Sequence, residues 1–155
     1  MRVPVNAPAV APAGRAVVVV ESFGYGHGPA PEADLTIDAR RHLYNPHRDP
    51  RMRYLTGLDE QVRAHVLATP GAANQVGNAV TFALCLLIDV THDSGELVTL
   101  AVGCAGGRHR SVAMAEAIAA GLRAAGVVVE VRHRDVGKPV IQRIPTAAAA
   151  SGGGR

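Results

Sequence analysis

The chain has no tryptophan and only five other aromatic residues, two Phe and three Tyr, among 155. Base recognition by stacking on interleaved rings is therefore poorly supported. Its two cysteines are Cys85, inside the apolar run FALCLLI, and Cys104, in a glycine turn. Two thiols in a chain this long do not make a disulfide framework, so a reducing cytoplasm is the expected compartment. The N-terminus has no apolar run of signal-peptide length, and the longest apolar stretch, Val80 to Ile88, is too short to span a bilayer. A soluble cytoplasmic protein without membrane contact is expected. No His-x-x-x-His or Cys-x-x-Cys pair occurs, so no metal is expected. Lysine is nearly absent too: fifteen of the sixteen basic residues are Arg and one is Lys138. Planar guanidinium forks favour phosphate or carboxylate recognition over diffuse ammonium charge, although genomic base composition produces the same bias.

With 48% hydrophobic residues and a net charge of +3, the chain supports one domain with a real core. Residues 1–15, rich in Ala, Pro and Val, and residues 139–155, ending in an Ala run and SGGGR, read as flexible tails around a domain over 16–138. Ala16 to Ser22 is a β-branched run suited to a buried strand, and Ser22 to Gly28 is a glycine-rich turn leaving it. Leu35 to Asp38 reads as a second strand, followed by an irregular Arg/His/Pro segment to Pro50. Helices are expected over Leu58 to Ala68, with Asp59 and Glu60 at the positive end, and over Asn74 to Ile88. Leu97 to Gly103 is a strand, Ser111 to Ala125 a helix closed by Gly126, and Val127 to Val131 a strand. Strand, helix, strand implies a parallel crossover, hence an α/β fold with a small, mostly parallel sheet flanked by helices. Ligands of such sheets lie beyond the carboxyl ends of the strands. The loops gathered there carry His27, His42, His47, His109 and His133, leaving His65 and His92 elsewhere. One composite site is expected.

The segment Val98 to Ser111, VTLAVGCAGGRHRS, carries the most specific chemistry. A β-branched run stops at a glycine-rich turn and then enters an alanine-rich helix. Backbone N–H groups of the turn Ala105 to His109 can converge on an anion, and the helix start adds free donors and its positive dipole end. Arg110 supplies a fork that matches two phosphate oxygens, with Arg108 beside it. A phosphorylated small molecule, either a sugar phosphate or a nucleotide, is the expected ligand, and no cofactor is required.

Six segments, SFGYGHG (22–28), ADLTIDAR (33–40), NPH (45–47), YLTGLD (54–59), VGCAGGRHRS (102–111) and VRHRD (131–135), together resemble the C-terminal domain of the RNase adapter protein RapZ family. They occur in the family's order across residues 16–138. No G-x-x-x-x-G-K-[ST] segment is present, so the resemblance is to that domain standing alone, without the family's N-terminal nucleotide-binding domain. The resemblance implies binding of a phosphorylated metabolite such as glucosamine 6-phosphate, together with binding of small RNA and assistance to an endoribonuclease. It places the phosphate on Ala105, Gly106, Gly107, Arg108, His109, Arg110 and Ser111, lines the other side with Asp38, Arg40 and His47, and brings in His27 from the SFGYGHG turn. Self-association into a homo-oligomer is left open.

Other readings of these residues remain. Cys104-x-x-Gly107-x-x-Arg110-Ser111 matches the core of a Cys-dependent phosphatase loop, in which Cys104 is a nucleophile and Arg110 holds the phosphoryl oxygens. Gly103 stands where those enzymes usually have a histidine, and Asp38, Asp49 and Asp135 are general-acid candidates only by default. Cys104 reads equally as a small residue packed under the turn, His27 as a solvated loop histidine, Asp38 as a turn cap and NPH as a turn signal. Arg132, Arg134 and Lys138 are candidate contacts to RNA phosphates, and the arginines equally suit ion pairs with Glu130 and Asp135.

Overall fold

A valine-rich run with no polar alternation suits a strand covered on both faces, and Val18, Val19 and Val20 are all buried. A computed structural model describes residues 17–90 and 97–142. Strands β1 (Val17–Gly24), β2 (Leu35–Asp38), β3 (Val98–Cys104) and β4 (Val128–His133) form an all-parallel sheet in the order β2-β3-β1-β4. Helices α1 (Glu60–Leu67) and α2 (Ala72–Val90) connect β2 to β3, and α3 (Arg110–Ala124) connects β3 to β4. This is the α/β fold with a parallel sheet that the sequence predicts.

The central strand is β1, with Val18 paired to Val98 and Val129, and Val20 to Leu100 and Val131. Alternate residues Val18, Val20, Leu100 and Val102 point into one core with Val62, Val66, Ala83, Met114, Ile118 and Leu122. Each large aliphatic side chain fully buried there contributes roughly 1.5–3 kcal/mol. Val19, Phe23 and Ala101 are also buried but lie outside that cluster, on the opposite face. Pro31 to Ala33 lie against that face beside Val19 and Ala101. The helices thus share one face, and the β1–β2 connection covers part of the other.

Element limits differ from expectation where tertiary pairing extends a strand into residues that read as loop. Gly24 stays in β1 because it pairs with Cys104, and Arg132 and His133 stay in β4 because they pair with Glu21 and Ser22. Helix α2 begins two residues earlier than Asn74. After α3 the chain turns at Gly126, whose φ of 82° only glycine adopts readily, as the sequence suggests. Residues 1–15, residues 143–155 of the tail expected over 139–155, and His92 lie outside the described residues, whereas 139–142 are described. No single helix among the described residues is long and apolar enough to cross a membrane.

Beneath α3, the Glu116 carboxylate accepts from His133 Nε2 at 2.9 Å, and His133 Nδ1 accepts from the Ser22 hydroxyl at 2.7 Å. This relay ties β4, β1 and α3 together and satisfies a serine that is fully buried. It also removes His133 from the loops at the sheet end.

Candidate functional site

At the carboxyl edge of the sheet, β1 and β3 end side by side, Gly24 opposite Cys104. Two glycine pairs let the backbones leaving these strands touch. A Cβ on Gly24 would lie 2.5 Å from the Gly106 carbonyl carbon, and one on Gly107 would lie 2.6 Å from the Gly24 nitrogen. Gly107 also has φ +67°, so glycine is required there on two counts. The Gly26 N–H donates to the Ala105 carbonyl at 2.9 Å and the Gly57 N–H to that of Arg108 at 2.8 Å. Two neighbouring loops therefore brace the 105–109 turn. The N–H groups of Gly106, Gly107, Arg108 and His109 find no acceptor among the described residues. Helix α3 starts directly after them, adding the unpaired donors and positive end of its first turn.

This turn forms one wall of an open cleft of about 1090 Å³. The 39–50 segment forms another, and Val140 and Ile141 complete it. Of the residues singled out in the sequence, the cleft brings together Arg40, His47, Cys104, Ala105, Gly106, Arg108, His109 and Arg110. Asp38, Gly107, Ser111 and His27 do not line it, and neither do Arg132, Arg134 and Lys138. His65, placed outside the composite site by sequence, does line it, together with Tyr44, Arg41 and Arg48.

The arginines divide by what their donors already hold. Arg108 spreads its guanidinium over the carbonyls of Tyr54 (2.5 Å), Leu55 (3.0 Å), Val136 and Lys138 (both 3.4 Å). It fastens two distant loops to the turn. Arg40 is gripped by Asp38, Nη2 to Oδ2 at 2.6 Å, and lies 3.9 Å over the Tyr25 ring. Arg110 is different. Only 8% exposed, it donates through Nη1 to the Arg40 carbonyl at 2.5 Å and has no carboxylate partner among the described residues. Burial pushes its pKa down, although the Asp38 carboxylate opposes this. Buried cations are ordinarily paired, so an unpaired guanidinium at the floor of a cleft is a group that lacks its counterion.

His109 Nε2 donates to the carbonyls of Met52 and Arg53, 3.1 Å each, which fixes the proton on that nitrogen. Burial, outweighing those carbonyls, lowers its pKa. His47 lies with its ring 6.4 Å from that of His109, and burial, then Arg53 and Arg110, lowers its pKa. Both histidines are therefore mainly neutral at pH 7.

Cys104 Sγ is buried and 3.1 Å from Ser111 Oγ. None of the three aspartates suits a general acid. The Arg40 hydrogen bond lowers Asp38, and Arg51 does the same for Asp49. At Asp135, burial alone would raise the pKa, but Arg134, Lys138 and the Gly24 N–H drive it far below the usual carboxylate range. Asp135 accepts from the Gly24 N–H at 2.7 Å and pairs with Arg134 at 2.8 Å and Lys138 at 2.6 Å. Glu130 holds Arg132 at 2.7 Å. The ion-pair alternative for the basic C-terminal residues is thus the one seen. Sequence reasoning missed Asp135 as the clamp on Gly24; the only signal was an acid directly after the basic end of β4.

The model of the RapZ C-terminal domain matches residues 16–137. A nucleotide-binding protein of Thermobifida fusca is 48% identical over 119 residues, covering 77% of this chain and 40% of that protein. One of Streptomyces coelicolor is 44% identical over 119 residues, again 77% and 40%, and one of Sphingopyxis alaskensis is 40% identical over 151 residues, 92% and 46%. The chain spans less than half the length of these relatives. The match covers every described strand and helix and the turn that holds Arg110, and the chain belongs to the RapZ C-terminal domain family.

Proposed function

We propose that this domain is a regulatory module that binds a phosphorylated small molecule, a nucleotide or a sugar phosphate, in the cleft at the carboxyl edge of the sheet. The observation that carries the reading is the buried, unpaired Arg110 beside the partnerless N–H groups of Gly106 to His109. A phosphoryl group there gains backbone donors, a forked guanidinium and the start of a helix at once. His47 and His109 gain a counter-charge when it arrives. The names of the relatives, nucleotide-binding proteins, support a phosphorylated ligand; family resemblance adds a sugar phosphate such as glucosamine 6-phosphate. The test is thermal stabilisation across nucleotides and phosphosugars. Stabilisation of the parent protein that vanishes in Arg110→Ala, with the apo fold retained by circular dichroism, supports the reading; no shift across the panel refutes it.

The Cys104 to Ser111 contact favours a second reading, a thiol-dependent phosphatase. Three ion-paired aspartates argue against it, because a general acid must hold its proton near neutral pH. Phosphate release that survives Cys104→Ser removes the thiol from any turnover. RNA binding and partnership with an endoribonuclease rest on resemblance alone. Arg132 and Arg134 already hold Glu130 and Asp135, and RNA phosphates would have to displace them. A gel shift across salt concentrations tests this, each phosphate contact adding roughly −0.7 to the slope.

A further inference from the structure

The cleft carries more positive charge than one phosphoryl group uses. Five arginines line it, Arg40, Arg41, Arg48, Arg108 and Arg110, against one carboxylate, Asp49, which already holds Arg51 at 2.9 Å. Arg40 is neutralised by Asp38, and Arg108 directs four of its five N–H donors at backbone carbonyls. The side chains of Arg41 and Arg48 are exposed and meet no acceptor among the described residues.

These two side chains project from a fixed wall. Leu43 and Pro46 are buried in it. The Tyr44 N–H donates to Thr69 Oγ1 at 2.8 Å, the Arg48 N–H to the Asn45 carbonyl at 3.1 Å and the Asp49 N–H to that of Pro46 at 3.0 Å. Arg48 is near enough to weaken the proton affinity of Arg110, and Arg41 near enough to act on Asp38. Both side chains line the same cleft as Arg110.

We propose, building on the phosphate reading above, that Arg41 and Arg48 form a second anion site on the 39–50 wall of the cleft, so that the ligand class is a small molecule bearing two phosphoryl groups. The first group sits on the 105–109 turn with Arg110. The second is held at the rim by two guanidinium forks whose donors are otherwise unused. Nucleoside diphosphates and sugar bisphosphates share this chemistry.

Calorimetric titration of the full chain with two matched pairs, AMP against ADP and fructose 6-phosphate against fructose 1,6-bisphosphate, tests it. The second phosphoryl group is expected to tighten binding about tenfold, equivalent to 1.4 kcal/mol, in at least one pair, and the responding pair names the source. In the double variant Arg41→Gln/Arg48→Gln that gain disappears while monophosphate affinity stays as in the parent. Equal binding within both pairs, or a gain that persists in the double variant, overturns the second site and leaves the phosphate turn standing. Loss of all four ligands in Arg110→Ala ties both sites to one cleft. Failure of the parent to bind any of the four overturns the second site, and the phosphate reading falls with it only where the wider panel of nucleotides and phosphosugars also gives no shift.

Discussion

The backbone N–H of Gly24 donates to the buried carboxylate of Asp135 at 2.7 Å, across 111 residues of sequence. This bond closes the end of β1 against the loop after β4, and Gly24 in turn abuts Gly106 and Gly107. Asp135 therefore sets where the 105–109 turn sits without lining the cleft.

Asp135→Asn is expected to cost about 2 kcal/mol, the scale of a hydrogen bond to a charged group, since Arg134 and Lys138 lose their counterion while the Gly24 bond can persist. The folded pKa is depressed, so the stabilisation is present above the unfolded carboxylate pKa of about 4 and is lost as pH falls below it. Urea denaturation from pH 7 to pH 2 checks this. The parent is expected to lose stability across the acid range more steeply than Asp135→Asn.

The glycines of the turn are not equivalent. Gly107→Ala forces an L side chain to φ +67° and a Cβ into Gly24, at a cost of about 2–4 kcal/mol from strain and overpacking. Gly106→Ala meets nothing within 4 Å and is expected to leave thermal stability unchanged. Thermal melts of the two variants side by side distinguish them.

Arg108 read in the sequence as a phosphate ligand, but its donors hold Tyr54, Leu55, Val136 and Lys138. Arg108→Ala is expected to destabilise the domain by about 2 kcal/mol and to speed amide exchange in residues 54–57 and 136–138. Ligand affinity is expected to fall less than in Arg110→Ala. Exchange mass spectrometry paired with calorimetry separates the two roles.

The regular elements were legible because their chemistry is local. Leu35 to Asp38 alternates, and Gly126 closes an alanine-rich helix. The turn after Cys104 was legible for the same reason. What was hidden depends on distant backbone: nothing near Arg108 or His109 announces that carbonyls more than fifty residues away take their donors. Val140 and Ile141, assigned by sequence to a tail, line the cleft through tertiary placement alone, and His65 enters it on α1.

His47 has its pKa lowered by burial and by Arg53 and Arg110, so it is mainly neutral at pH 7. A bound phosphate reverses the field, raising that pKa and drawing in a proton. Affinity is therefore expected to rise as pH falls from 7.5 to 6, with net proton uptake that His47→Gln reduces. Titration in buffers of different ionisation enthalpy measures the uptake directly.

The central claim is that a phosphoryl group completes the unpaired Arg110. A crystal structure of the domain with a nucleotide or sugar phosphate tests it most directly. Phosphoryl oxygens within hydrogen-bonding distance of the Arg110 guanidinium and of N–H groups in Gly106 to His109 are expected. A phosphate seated elsewhere, with the 105–109 turn empty and Arg110 still unpaired, would contradict the account.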